Sequence, residues 1–228
     1  MLPRPPPLPM QARLPFRDRA EAGRILAEAV AASVSDASSL VLALPRGGVP
    51  VAFEVARALN APLDVFLVRK LGFPRREELA IGAIASGGVR VLTRDLIDEL
   101  RVSEQLIDRI TAVEKRELER REELYRENRP AIPVQGRTII LVDDGLATGA
   151  SMLAGVRALR PQGPKRLVVA VPVGAPETCQ QFRSEVDQII CVATPEPFGA
   201  VGEWYADFSQ TTDDEVRKLL EEAARLQP

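Results

Sequence analysis

Residues 139–151 read IILVDDGLATGAS, and this stretch decides the fold. Its four leading apolar residues are typical of a central parallel strand that is buried on both faces. Two adjacent acids, Asp143 and Asp144, follow at the carboxyl end of that strand, and small and hydroxyl-bearing residues then open a helix. Ligands of open parallel sheets bind outside the carboxyl ends of the strands, so we expect a binding site at this loop.

The loop combines an anion cradle with a pair of carboxylates. Small residues let backbone N–H groups close on a phosphate at the N-terminus of the helix, and Thr148 and Ser151 add hydroxyl donors. Asp143 and Asp144 would repel that phosphate, so they suit the hydroxyl groups of a polyol beside it, or a metal. Together these features indicate a sugar phosphate. A capped helix N-terminus is the plainer interpretation, and the complete combination makes it the weaker one.

The rest of the chain repeats the alternation of strand and helix. Short apolar runs predict strands, and stretches with helical spacing of apolar residues predict helices between them. This pattern predicts an α/β fold with a doubly wound, mostly parallel sheet. The predicted strands are 40–44, 63–68, 138–142, 167–173 and 186–192, with a hairpin at 79–85 and 89–93. The predicted helices are 18–33, 50–59, 95–128, one that follows the loop at 143–151 and runs to about 159, 177–183 and 213–226.

We expect one folded domain at residues 16–228 behind a Pro-rich flexible tail at residues 1–15. Five of the first nine residues are proline, and the segment lacks the apolar core of a signal peptide. A helical insert at about 95–130 carries charges of both signs, which indicates a solvated helix face or an arm that packs on a second subunit. A small hood or C-terminal lid is expected at about 194–228. No apolar stretch is long enough to cross a membrane, so we expect a cytoplasmic protein.

Composition restricts the chemistry of the site. The 228 residues include no histidine, which excludes a Ser–His–Asp triad and any histidine-ligated metal. A formal net charge of −2 argues against nucleic-acid binding. We expect Cys179 and Cys191 to be two reduced, mostly buried thiols, since two cysteines make neither a zinc site nor a disulfide framework.

The stretch at 139–151 resembles the phosphoribosyl pyrophosphate (PRPP) loop of type I phosphoribosyltransferases. The shared signature is four apolar residues, two acids, two mostly apolar positions, and then a small residue, Thr, Gly and a hydroxyl. The resemblance implies that Asp143 and Asp144 bind the 2′ and 3′ hydroxyls of the ribose. It implies no direct metal ligand in the protein, since Mg²⁺ is held mainly by PRPP, with water-mediated contact to Asp143 and Asp144 as an option. It also implies that the 5′-phosphate is bound by Ala147, Thr148, Gly149, Ala150 and Ser151.

Two further segments fall where that family has its leaving-group site. A PRGG motif at 45–48 follows the first predicted strand and resembles the pyrophosphate loop, although alone it would indicate a simple turn. Arg69 and Lys70 end the second predicted strand and resemble the family's basic pair, with a surface charge pair as the plainer interpretation. The resemblance thus implies a catalytic set of Asp143, Asp144, Arg46 and Lys70, and a PRPP-binding set that includes Gly47, Gly48 and Arg69.

Residues 72–80 fall where the family has a flexible catalytic loop. Closure of such a loop would exclude water from a reactive intermediate. The candidate residues of this mobile loop are Arg75, Arg76, Glu77 and Glu78.

Three aromatic residues of the hood are candidates for binding the acceptor. Trp204, Tyr205 and Phe208 have flat rings that would stack on a base, and packing of the C-terminal lid on the core is the equally weighted interpretation. Glu203 and Asp207 are candidates for an acid or base on the acceptor side.

By this resemblance the chain is identified as a Mg²⁺-dependent phosphoribosyltransferase of nucleotide metabolism or salvage. It would transfer ribosyl 5-phosphate from PRPP to a nitrogenous, base-like acceptor and release pyrophosphate. The alternative is a non-catalytic sensor of PRPP or a nucleotide on the same fold. Ala147 stands where 6-oxopurine enzymes have an acid, which disfavours hypoxanthine and guanine. Residues 16–19, FRDR, add a likeness to a bacterial stand-alone subgroup of unassigned acceptor, and related enzymes are commonly homodimers.

Overall fold

A computed structural model describes residues 13–73, 76–127 and 129–226, without the side chains of residues 76–78. Residues 1–12 of the predicted Pro-rich tail and Arg75 of the predicted mobile loop lie outside the described residues. The strands are β1 (Leu40–Ala43), β2 (Leu63–Val65), β3 (Val68–Phe73), β4 (Arg76–Ala85), β5 (Val89–Leu92), β6 (Thr138–Val142), β7 (Arg166–Val173) and β8 (Gln188–Ala193).

Seven α-helices appear in the described ranges, together with two short 3₁₀ turns at Arg160–Gln162 and Val201–Trp204. None of these helices combines the length and the apolar character that crossing a bilayer requires. The α-helices are α1 (Arg19–Ser33), α2 (Gly48–Leu59), α3 (Arg94–Glu99), α4 (Glu104–Arg126), α5 (Ala150–Leu159), α6 (Pro176–Phe182) and α7 (Asp213–Arg225).

The central sheet has five parallel strands in the order β2-β1-β6-β7-β8. This confirms the predicted doubly wound, mostly parallel architecture. From β1 the chain crosses through α2 to β2 on one side, whereas from β6 it crosses through α5 to β7 on the other. The order therefore reverses between β1 and β6, where Leu40 is in register with Ile139 and Ala43 with Val142. Loops that leave two such strands diverge and open a crevice between them.

Both faces of the central sheet are covered, which explains why its strands read as continuous apolar runs. Alternate residues of a strand point to opposite faces. Accordingly Val41 and Ile140 join the apolar cluster beneath α1, α2, α4 and α7, whereas Leu42 and Leu141 join the cluster beneath α5 and α6. The central strands are therefore buried on both sides and hold the loops at their carboxyl ends in fixed positions.

The segment predicted as a mobile loop is largely a strand. β3, β4 and β5 form a separate three-stranded antiparallel sheet in which Lys70 pairs with Ala83, and β4 already begins at Arg76. The sequence interpretation also placed Arg69 and Lys70 at the end of the second strand, which is wrong, since both lie inside β3. Cross-strand pairing overrides the loop-like composition of this segment.

The predicted continuous helix at 95–128 is two helices, α3 and α4. Arg101 adopts a positive φ of 50°, and the hydroxyl of Ser103 then caps α4 by accepting a hydrogen bond from the backbone N–H of Leu106. Helix α4 buries Leu118 and Tyr125 against its own chain. Its inner face is therefore part of the core, and packing of its outer face on a second subunit stays a prediction.

The two cysteines form a disulfide, so the expectation of reduced thiols is wrong. Cys179 in α6 is joined to Cys191 in β8, with 6.7 Å between their Cα atoms. The sequence separation of 12 residues gave no indication of this pairing. It arises because the chain turns back after α6 and lays β8 directly beside it.

One buried ion pair ties α4 to the edge of the central sheet. Arg126 donates to Asp64 over 2.9 Å and to the carbonyl of Val65 over 2.8 Å, and the two charged side chains are 12% and 8% exposed. Replacement of Arg126 would leave Asp64 buried without its cation.

We expect Arg126→Gln to lower the free energy of unfolding by about 3 kcal/mol, because removing one partner strands a buried charge. Arg120→Gln is the matched control on the same helix, since Arg120 is 60% exposed and should contribute less than about 1 kcal/mol. Urea unfolding of both variants measures the difference. Equal losses would contradict a special role for the Arg126–Asp64 pair.

Candidate functional site

A cleft of about 370 Å³ opens at the carboxyl ends of β1 and β6, where the strand order reverses. Four separate segments meet there: the start of α1, the loop after β1, the loop after β6, and the segment before α7. The residues that line it are Arg19, Arg46, Gly47, Asp144, Phe208, Gln210 and Thr211.

The PRGG loop lies directly against the two acids. A Cβ atom on Gly48 would stand 2.9 Å from both the Cα of Asp143 and the carbonyl oxygen of Val142. A Cβ atom on Gly47 would overlap the carboxylate of Asp144. Glycine at both positions therefore permits a backbone approach that no other residue allows. The structure brings together two motifs separated by about a hundred residues in the sequence.

The loop after the acids leads into α5, and no side chain caps the first turn of this helix with a hydrogen bond. Gly149 adopts a left-handed φ of 71° immediately before Ala150, the first residue of the helix. Thr148, Ala150 and Ser151 are exposed around this turn. The first N–H groups of a helix carry partial positive charge, so this turn presents donors suited to an anion.

The same loop is held rigidly from behind. Leu146 donates to the carbonyl of Val173 over 2.9 Å, and the hydroxyl of Thr178 donates to the carbonyl of Ala147 over 2.6 Å. A Cβ atom on Gly149 would stand 2.7 Å from the ring of Phe182. The loop conformation is therefore set by β7 and α6, before any ligand binds.

The two acids are packed in a poorly solvated place. Burial, and then the nearby Asp144 carboxylate, raise the pKa of Asp143 well above its usual value. Burial also raises the pKa of Asp144, and the Arg19 guanidinium opposes that rise. The Nε atom of Arg19 lies 2.8 Å from Oδ2 of Asp144, and the two side chains are 11% and 14% exposed. One cation thus partly compensates two partly buried carboxyl groups.

The start of the described chain pairs with the C-terminal hood. Phe16 and Tyr205 form a parallel β-bridge, and the N–H of Phe16 donates to the carbonyl of Trp204 over 2.8 Å. Tyr205 is buried, and its hydroxyl donates to the backbone carbonyl of Asp144 over 2.5 Å. The hood therefore reaches the acid pair directly.

The three aromatic residues predicted to bind an acceptor occupy different environments. Phe208 lines the cleft, and the guanidinium carbon of Arg19 lies 4.0 Å from its ring centre. Tyr205 packs against Phe16 with 5.6 Å between ring centres, and Trp204 packs against Phe198 at 6.1 Å. Of the three, Phe208 alone is among the residues that line the cleft.

The predicted acid and base candidates of the hood lie away from the cleft lining. Asp207 accepts a hydrogen bond from the backbone N–H of Ser209 over 2.9 Å, which orders the chain around the cleft. Glu203 is exposed in the 3₁₀ turn, and its carboxylate packs against Gly199, where a Cβ atom would stand 2.5 Å from Oε1 of Glu203.

The predicted basic pair and mobile loop are not among the cleft-lining residues. Arg69 forms an ion pair with Glu114 of α4 at 2.6 Å, and Lys70 is exposed on β3. The backbones of Arg76, Glu77 and Glu78 belong to β4, and their side chains lie outside the described residues.

Arg46 has charged and polar neighbours that the sequence did not indicate. Its Nη1 atom lies 3.8 Å from Oδ1 of Asp213, and the same oxygen accepts a hydrogen bond from the hydroxyl of Tyr125 over 2.6 Å. Burial, followed by the hydrogen bond to Asp213, raises the pKa of Tyr125 to about 12. Helices α4 and α7 therefore meet behind the PRGG loop.

Arg19, Gln210 and Thr211 are the cleft residues that sequence reasoning missed. The sequence did carry one indication of a role for Arg19. A positive charge at the first residue of a helix is repelled by the positive end of the helix dipole, so an arginine there indicates a partner outside the helix. Gln210 and Thr211 carried no such signal.

Comparison with known proteins connects this site to a family. A family model described as a phosphoribosyl transferase domain matches residues 74–199, which include both acids. Proteins of two Mycobacterium tuberculosis strains, CDC 1551 and H37Rv, are 47% identical to this chain over 210 residues. Both carry phosphoribosyl transferase as a provisional name. The matches cover 92% of this chain and 47% of each relative, so the chain spans about half the length of these curated relatives.

A solved structure extends the likeness to the whole fold. The crystal structure of the protein TT1426 from Thermus thermophilus superposes with a TM-score of 0.81 at 44% sequence identity. The superposition covers 91% of this chain and 98% of that chain.

We expect Asp143→Asn to raise the melting temperature at neutral pH, because an ionised Asp143 is held in a partly buried site beside a second acid. A carboxyl group whose pKa is raised by folding destabilises the fold above that pKa, and the cost disappears as pH falls towards its ordinary value. The gain should therefore shrink in acid.

Thermal unfolding of Asp143→Asn at several pH values between about 4 and 8 measures this effect. Asp98→Asn is the control, since Asp98 is an exposed acid of α3. A stabilisation of Asp143→Asn that grows as the pH falls would contradict the stated cause.

Proposed function

Because the chain belongs to the phosphoribosyl transferase family, we propose that it transfers ribosyl 5-phosphate from PRPP to a nitrogen atom of a base-like acceptor. The supporting observation is the meeting of the acid pair with the PRGG loop at one cleft, beside a rigid loop that opens α5. A carboxylate pair, a cationic loop and an anion cradle are the three groups that a pyrophosphorylated sugar phosphate requires.

In this proposal the donor lies along the loop after β6. Asp143 and Asp144 accept hydrogen bonds from the two ribose hydroxyls, and the first turn of α5 binds the 5′-phosphate with Thr148 and Ser151. The anchoring of the loop by β7 and α6 supports this role, because a preformed cradle loses little entropy on binding.

The pyrophosphate lies at the PRGG loop in this proposal. Gly47 and Gly48 bring the backbone of this loop against the acids, and the N–H of Gly48 donates to the carbonyl of Leu44 within the loop. The side chain of Arg46 is 36% exposed at the cleft. Arg46 would bind the leaving group in a bidentate manner. Lys70 and Arg69 would act on the same group, and Arg69 would then exchange Glu114 for a phosphate oxygen.

Magnesium fits this donor set as part of the substrate complex. Within the described ranges, no three Cys, Asp or Glu side chains lie close enough together to hold a metal ion. Mg²⁺ commonly takes one or two carboxylates and completes its shell with phosphate oxygens and water. Asp143 and Asp144 would contact it through water, and its chemical contribution is to neutralise charge on the departing pyrophosphate.

The reaction then needs little acid–base chemistry on the donor side. The acceptor nitrogen forms a bond to C1 of the ribose while the C1–O bond breaks, and pyrophosphate leaves with that electron pair. Arg46 and the backbone N–H of Gly47 would stabilise the charge that develops on the leaving oxygen. A chain without histidine is therefore suited to this reaction. Arg75 and the start of β4 at residues 76–78 would exclude water.

The acceptor would enter on the side of the cleft formed by Phe208, Gln210 and Thr211. These residues offer an aromatic edge, an amide and a hydroxyl, which together suit a small planar heterocycle. Trp204 and Tyr205 would support this wall from behind. Ala147 leaves no carboxylate for a 6-oxopurine ring at the homologous loop position.

The test is Mg²⁺- and PRPP-dependent release of pyrophosphate across a panel of nucleobases and small amines. Asp144→Asn should lower turnover about a hundredfold or more, because it removes a charged acceptor of the ribose hydroxyls. Asp108→Asn is the control, since Asp108 is a 67% exposed acid on α4.

Undiminished turnover in Asp144→Asn would contradict the site assignment. PRPP binding without pyrophosphate release for any acceptor would instead support a non-catalytic sensor of PRPP on the same fold.

A further inference from the structure

We propose that Arg19 is a positioning residue that orients the Asp144 carboxylate towards the ribose hydroxyls and thereby links the hood to the donor site. This inference rests on the proposed function, because it assumes that Asp144 binds the ribose of PRPP. It concerns a residue far from the acid loop in sequence, at the first position of α1.

The guanidinium of Arg19 is held by three different contacts. Its Nε donates to Oδ2 of Asp144 over 2.8 Å, and its Nη1 donates to the backbone carbonyl of Ser209 over 2.7 Å. Its plane lies over the ring of Phe208, with 4.0 Å between the guanidinium carbon and the ring centre. At 11% exposure the side chain has little freedom to leave this position.

Asp144 is correspondingly held at three of its own atoms. Its N–H donates to Oδ1 of Asp143 over 2.9 Å, its carbonyl accepts from the hydroxyl of Tyr205, and its Oδ2 accepts from Arg19. Arg19 is the cation that bonds to this carboxylate, and 14% of the Asp144 side chain stays exposed at the cleft. A carboxylate has about four acceptor positions, so Asp144 can accept a further hydrogen bond from a ligand hydroxyl.

Arginine is the side chain that this geometry requires. Only a planar fork of N–H donors can bond to Asp144 and Ser209 at once while its face packs on Phe208. A lysine would supply the charge but would make one of these contacts at a time. The unfavourable place of a cation at the start of α1 also favours a role at the site over a role in the helix.

The contacts of Arg19 join two parts of the proposed site. Phe208 and Ser209 belong to the hood, on the acceptor side, whereas Asp144 belongs to the donor side. Loss of Arg19 should therefore disturb the recognition of ribose more than the recognition of pyrophosphate, which the PRGG loop would bind.

Isothermal titration of three probes tests the inference: PRPP with Mg²⁺, ribose 5-phosphate, and inorganic pyrophosphate with Mg²⁺. Arg19→Gln should weaken PRPP and ribose 5-phosphate about tenfold or more, the size of one charge-assisted hydrogen bond, and change pyrophosphate less than about twofold. Arg19→Lys should restore part of the loss. Arg17→Gln is the matched control in the same segment, since the side chain of Arg17 is 65% exposed and pairs with its neighbour Asp18.

The outcomes separate this inference from the proposed function. Wild-type protein that binds no PRPP overturns the proposed function. Wild-type binding of PRPP that Arg19→Gln leaves unchanged, or an equal loss for all three probes, overturns the role of Arg19 alone. Thermal unfolding shows whether each variant is folded. If Arg19→Gln is not folded, Arg19→Lys is used instead, and it should show a smaller loss of affinity for PRPP and ribose 5-phosphate with pyrophosphate affinity again nearly unchanged.

Discussion

The pairing of β1 with β6 at the centre of the sheet is the interaction on which the rest of the structure depends. Four consecutive residue pairs, from Leu40–Ile139 to Ala43–Val142, hold the two strands in register and buried on both faces. The crossovers leave these strands in opposite directions, so a crevice opens between their carboxyl ends. The PRGG loop and the acid loop meet there, and their glycines let the two backbones approach as closely as they do.

Partial burial of two adjacent carboxyl groups at this place has a cost that the surrounding structure partly compensates. Desolvation and mutual repulsion disfavour two negative charges side by side, and the cation of Arg19 stabilises one of them. The residues that provide this support come from both ends of the chain. Phe16 and Arg19 lie at its start, and Tyr205 and Phe208 lie near its end. An acid pair that is unfavourable for folding is thus stabilised by a hood that also shapes the cleft.

Helix α4 forms most of the helical insert, and its contacts show how the insert is attached to the rest of the fold. It connects to the sheet through Arg126, to β3 through Glu114, and to the hydrogen-bond network behind Arg46 through Tyr125. Its many surface charges are consistent with the predicted solvated face, whereas its inner face completes the core over α7. The insert therefore reaches Arg46 through the contacts of Tyr125 and Asp213, even though it contributes no residue to the cleft lining.

The sequence by itself determined the α/β fold, the parallel strands and the acid loop. These features depend on local pattern. Apolar runs are typical of strands buried on both faces, and small residues after two acids are typical of a helix start suited to an anion. The strand character of β3 and β4, the break between α3 and α4 and the Cys179–Cys191 disulfide were decided only by the tertiary structure. Each depends on which distant segments pack together. The same reason explains Arg19, whose place beside Asp144 follows from contacts between residues more than a hundred positions apart.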